Sequence, residues 1–136
     1  MDTSAEYVKM CEVAYPILGE RKPQAWDWWW MTPKCEAPRL LVVSGYETDG
    51  GEYGPMLPDG GGYITYTFHF PVWRQDQLQE MVGEWSLDWQ LRNIAAFYHN
   101  VLEDNVASWE QLWLAFVMAE KYGKVWSGEK WEPKQP

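Results

Sequence analysis

Four tryptophans fall within five positions of the stretch QAWDWWWMTP: Trp26, Trp28, Trp29 and Trp30. No other feature restricts the fold as much. Read as a strand, WDWWWM puts Trp26, Trp28 and Trp30 on one face and Asp27, Trp29 and Met31 on the other. Each large ring buries roughly 150–250 Å², so one covered face cannot hide all four. Either both faces are covered, or some rings line a groove or a subunit interface. Interfaces and ligand clefts favour large rigid side chains with one polar handle. We take the triplet Trp26, Trp28 and Trp30 as the candidate wall, because three rings make a surface, and Trp29 as core.

The rest of the chain reads as strands followed by helices. TSAEYVKMCEVAYPILG opens with Thr3 and Glu6 at capping-box spacing, and Tyr7, Met10, Cys11, Ala14 and Leu18 recur at helical spacing. Pro16 cannot donate to the Glu12 carbonyl, so the helix should end or kink near it. RLLVVSGYE is a second strand, rich in β-branched residues. Residues 48–62, TDGGEYGPMLPDGGG, hold six glycines and two prolines and read as a loop or long hairpin connection beside the site. YITYTFHFPVW is the clearest strand. Ile64, Tyr66, Phe68 and Phe70 take one face, and Tyr63, Thr65, Thr67 and His69 the other. Pro71 should terminate it or mark an edge.

RQDQLQEMVGEW then makes a short helix ending near Gly83. Ser86 can cap LDWQLRNIAAFYHNVLEDN, in which Leu87, Leu91, Ile94, Ala95, Tyr98 and Leu102 form an apolar stripe. Ser108 and Gln111 form a second capping box before WEQLWLAFVMAEKYG, and Gly123 ends that helix. KVWSGEKWEP reads as a tight Ser-Gly turn between two short extended pieces. The expectation is a single α+β domain over 1–136, sheet-rich in 1–73 and helical in 74–136. It consists of a small antiparallel sheet with two or three helices packed on one face.

A chain of 136 residues supports one core. Its net charge is −9. No Lys or Arg occurs between Arg39 and Arg74, or between Arg92 and Lys121. The first gap carries Glu47, Asp49, Glu52 and Asp59, the second Glu103, Asp104, Glu110 and Glu120. Such a surface repels a phosphate backbone, so direct nucleic-acid binding is not expected. Binding a basic protein surface or mimicking nucleic acid stays open, beside the plainer role of maintaining solubility. No apolar run reaches membrane-spanning length, and MDTSAEYVKM lacks the features of a signal peptide. Cys11 and Cys35 read as free thiols in a reducing cytoplasm.

Catalytic and cofactor motifs are not found. There is no Gly-Lys-Ser/Thr phosphate loop and no GxGxxG after a strand. The acids of the glycine-rich loop lack calcium-loop spacing, and Cys11, Cys35, His69 and His99 show no local pairing for zinc. We therefore expect no metal, no cofactor and no enzymatic activity. Trp89, Trp109 and Trp113 read as core or core-edge residues. Arg74 follows Trp73 at a strand-to-helix junction, where outward N–H groups and a guanidinium could hold an anion. A salt bridge is the plainer reading for Arg74, and also for Arg92, which has Asp88 at helical spacing. The candidate ligand-binding set is Trp26, Trp28, Trp30, Trp73, Arg74 and Arg92.

WRQDQLQEMV, EQLWLAFVMAEKYGKVW and the early EYVKMCEVA resemble a group of small phage- and prophage-encoded proteins of Firmicutes. That resemblance implies a phage accessory protein in the cytoplasm of a bacterial host and assigns no catalytic residue. In that setting the leading expectation is an anti-defence protein that sequesters a small anionic aromatic ligand, such as a nucleotide-type immune signal. Aromatic walls stack a base at roughly 1–3 kcal/mol each, and an arginine meets phosphate. Two alternatives stand beside it: an acidic protein inhibitor of a host defence enzyme, and an oligomerising structural phage protein. The surplus of aromatic area leads us to expect a homodimer or larger assembly.

Overall fold

The computed structural model describes residues 1–24, 26–33, 36–47, 53–55, 66–83, 85–102 and 106–135. The elements run α1 (Ala5–Leu18), β1 (Trp28–Pro33), β2 (Arg39–Glu47), β3 (Tyr53–Pro55), β4 (Tyr66–Val72), α2 (Gln75–Met81), α3 (Leu87–Phe97), α4 (Trp109–Tyr122), β5 (Lys124–Trp126) and β6 (Trp131–Pro133). A π-helical segment, Tyr98–Leu102, continues α3. The architecture is α+β, with an antiparallel sheet in the order β3-β2-β1-β4 and a separate β5-β6 hairpin. Of residues 48–62, only Tyr53–Pro55 are described, and they pair with β2 as a strand; the remainder of that expected loop lies outside the described residues.

β1 is central, and its two faces carry different tryptophans. Trp28 and Trp30 are half-buried against the main core. Trp29 and Met31 point the other way and form a second buried cluster with Val43, flanked by Leu41 and Phe68. Tyr15 of α1 meets the Trp29 ring edge-on at 6.2 Å. Both faces of β1 are therefore buried, which is how one strand accommodates three consecutive indoles.

Two expectations about this sheet need correction. Phe68 and Phe70 do not share a face. Trp30 pairs with Phe70 but Met31 pairs with Phe68, so His69 is an extra residue on β4. One inserted residue reverses the alternation beyond it, and Phe70 joins the main core while Phe68 joins the second cluster. His69 Nε2 and Thr32 Oγ1 are hydrogen-bonded at 2.6 Å. Trp26, in turn, is not in the strand. It has φ +68° and is 63% exposed. Its N–H donates to the Val43 carbonyl at 2.8 Å, and its carbonyl accepts from Arg74 Nη1 at 2.7 Å. Those two bonds hold a bulky residue in a backbone region it rarely adopts. Pro71 lies within β4, where an edge position tolerates the missing donor.

The helices begin and end as their capping residues require. The α1 cap is Ser4, whose Oγ accepts from the Tyr7 N–H at 3.2 Å, one residue later than the Thr3 box. Glu6 is instead occupied by Trp126 Nε1, which donates to its carboxylate at 2.7 Å. α1 runs two residues past Pro16 and stops before Gly19, at φ +91°. Ser86 and Ser108 cap α3 and α4, and Gly123 closes α4 in the left-handed region. α4 is buried on every side from Gln111 to Ala119, as a helix apolar all round must be. It packs against α1, α2, α3 and β5. Trp131 Nε1 donates to the Met10 carbonyl at 3.1 Å, fastening the hairpin to α1.

Cys11 sits in this core with no exposed surface. Burial pushes its thiol up to about 12, so the nucleophilic thiolate is suppressed. In a Cys35→Ser variant, a thiol reagent should therefore find no reactive group until the protein is unfolded. Prompt labelling of the native variant would contradict the burial.

Candidate functional site

α3 departs from the expected pattern in the way that matters most for function. Its buried residues are Ile94 and Phe97. Leu87 is 67% exposed, Leu91 54% and Tyr98 38%, and Ala95 is exposed as well. The apolar stripe thus turns largely to solvent; Leu102 lies where no side chain is described. The reason is angular. α3 is apolar over a wider arc than one neighbour covers, and α4 takes only the arc through Ile94 and Phe97, where Phe97 meets Phe116 edge-on at 5.5 Å.

The uncovered arc forms one wall of a groove. Leu91, Ala95, Tyr98 and His99 stand on one side, and Val106, Ala107, Ser108 and Trp109 on the other, with Ile94 and Leu112 at the base. The groove encloses about 450 Å³. Trp109, the first residue of α4, projects with 60% of its surface exposed. Tyr98 and His99, the first residues of the Tyr98–Leu102 π-helix, stand on the opposite wall; such segments are rare and are frequent at functional sites.

The charged groups near this groove are paired or hydrogen-bonded. Ser108 Oγ accepts from the Gln111 N–H at 3.1 Å and donates to Asp2 Oδ2 at 2.6 Å. Burial raises the Asp2 carboxyl, but hydrogen bonds from Ser108, Ser4 and Gln111 outweigh it and hold the group below its usual value. It is a carboxylate at neutral pH. Glu110 pairs with the N-terminal ammonium at 3.5 Å. Arg92 pairs with Asp88 at 3.1 Å, and both are exposed, as the plainer reading of that arginine had it.

The six residues expected to bind a ligand do not form one site. Trp73 is buried in the core, and its carbonyl accepts from the Tyr7 hydroxyl at 2.6 Å. Trp30 stacks on Phe70, with ring centroids 6.3 Å apart. Trp28 packs against the main core, the Trp26 ring is exposed, and Arg92 belongs to α3. Arg74 is engaged with Asp76, through Nε and Nη2 at 3.0 Å each, as well as with Trp26. The hydrogen bond with Asp76 raises the arginine and lowers the carboxyl.

What Arg74 helps to build is a polar node on Asp27. This carboxylate is almost wholly buried. It accepts from Gln77 Nε2 at 2.6 Å, the Gln24 N–H at 3.0 Å and Arg21 Nε at 3.3 Å, with Arg74 Nη1 at 3.7 Å. Gln77 also accepts from the Arg74 N–H at 2.9 Å. The node ties the start of β1 to the start of α2. Sequence reasoning missed the pair Asp27 and Gln77, although strand alternation already set Asp27 on the face of Trp29 and Met31. It also read Trp109 as core or core-edge; the signal available was the width of the apolar arc on α3, which needs two neighbours.

Among the described residues, no three His, Cys, Asp or Glu side chains come together to hold a metal, and no helix is long and apolar enough to cross a membrane. Comparison with known protein families, curated proteins and solved structures gives no match.

Proposed function

We propose that this protein is a non-enzymatic interaction protein that grips apolar side chains of a partner protein in the groove between α3 and α4. The observation that carries the reading is the solvent-facing stripe Leu91, Ala95 and Tyr98 opposite the projecting Trp109. Large apolar residues gathered at one place, with acids around them, mark interaction surfaces. A small-molecule site of similar volume carries a few placed polar groups that orient its ligand. Here Ser108 is engaged in capping, no Asp, Glu, Lys or Arg lines the groove among the described residues, and the other polar groups are the tips of the Tyr98, His99 and Trp109 rings. A sequestered nucleotide is the weaker reading, because Arg74 is paired and Trp73 buried. In the phage setting that the resemblance implies, the partner is a host defence protein and the effect is inhibition.

The test is a pair of variants, Leu91→Asp and Trp109→Ala, both at exposed positions and so expected to melt close to the parent. An apolar dye that brightens on leaving water should bind the parent and lose its signal on both variants. Phage protected from host defence by the parent should lose that protection with either variant. If both variants fold, bind dye and protect as the parent does, the groove is not the working surface.

A further inference from the structure

We infer that the occupant of the groove is a basic amphipathic helix of the partner protein, an inference that rests on the protein-binding reading above. Three observations lead there. One wall of the groove is helical, and its exposed residues lie at helical spacing: Leu91, Ala95 and Tyr98 along one side, with Trp109 at the start of α4 facing them. Such a surface accepts the apolar face of a further helix, with anchors at i, i+3 or i+4, and i+7. Its volume of about 450 Å³ suits a few large side chains rather than a whole domain edge. The third observation is charge. Asp88 lies on α3, Glu110 follows Trp109 on α4 and is paired with the N-terminal ammonium, and the Asp2 carboxylate accepts from Ser108 of the groove lining; the chain holds no Lys or Arg between Arg92 and Lys121. Arg92 is itself paired with Asp88.

That charge distribution decides among occupants. A second copy of this chain, at net charge −9, would bring acid against acid around the groove. An acidic helix would meet the same repulsion. A helix with an apolar ridge flanked by lysines and arginines buries the ridge and places its cations against the acids. Complementary charge of this kind speeds encounter and rejects wrong partners.

The experiment uses the full chain and two labelled synthetic helices of about five turns, long enough to hold helical structure when bound. They share a leucine ridge and differ only in lysine or glutamate on the other positions. Fluorescence anisotropy should show the lysine peptide binding at least about tenfold more tightly at low salt, with the advantage shrinking as salt rises. Leu91→Asp should abolish that binding although it adds a negative charge. Asp88→Lys should weaken the lysine peptide alone, with the apolar walls untouched. Equal binding of both peptides, lost in Leu91→Asp, would overturn the basic partner and leave the groove reading intact. Undiminished lysine-peptide binding to Leu91→Asp would overturn both, because the contact would then be charge alone. Failure of both peptides to bind would also overturn both. A dimer in sedimentation that Leu91→Asp converts to monomer would overturn the basic helix in favour of a second copy.

Discussion

Trp29→Ala should lower the stability of this protein by about 3–5 kcal/mol, the range for removing a large aromatic from a packed core. Trp26→Ala, three positions away, should leave the melting temperature nearly unchanged. Both residues are indoles of the same short stretch, and the difference is where their rings sit. Trp29 is 2% exposed and packs edge-on against Phe68, with centroids 5.4 Å apart. Removing it opens a cavity among Met31, Val43 and Phe68 that a β-sheet face cannot collapse to fill. Trp26 projects outward, and its structural contacts run through backbone atoms that alanine retains. Trp28→Ala and Trp30→Ala should fall between, as both are half-buried. Urea unfolding of the four variants checks the order. A Trp26→Ala loss as large as that of Trp29→Ala would mean that the Trp26 ring is packed rather than projecting.

The second large effect belongs to Asp27. Asp27→Ala should destabilise the fold by about 1–3 kcal/mol, the cost of leaving a buried polar group without its partner. Gln77 would keep a buried amide with no acceptor, and Arg21 and Arg74 would lose their shared carboxylate. Asp27→Asn keeps the volume and one acceptor oxygen, so its loss should be smaller. The effect should extend to the backbone of Trp26, since Arg74 bridges the node and the Trp26 carbonyl. Denaturant unfolding of the two variants reads the stability, and amide exchange at Trp26 and Val43 reads the local release. An Asp27→Ala protein with the parent's unfolding midpoint would show that the node is a solvated surface feature, against its burial.

The helices and strands themselves were legible from local chemistry. Ser86 and Ser108 cap where a short side-chain oxygen can reach an N–H three residues on, and Gly123 ends α4 because only a residue without a Cβ turns left-handed at little strain. The hairpin of KVWSGEKWEP follows from its turn, where Ser127 accepts from the Lys130 N–H at 3.2 Å. Even the opposed behaviour of Trp28 and Trp29 follows from the two-residue alternation of a strand. Tertiary structure decided whatever depends on what stands opposite. Alternation along β4 does not reveal a bulge at His69, because a bulge is a relation between two strands. Alternation places Asp27 on the face of Trp29, but what holds a carboxylate there is supplied only when Gln77, fifty residues away, is brought to meet it. The stripe of α3 shows that the helix has an apolar arc, but which part is buried depends on where α4 packs. Only that packing turns Leu91 and Trp109 from expected core into the walls of an open groove.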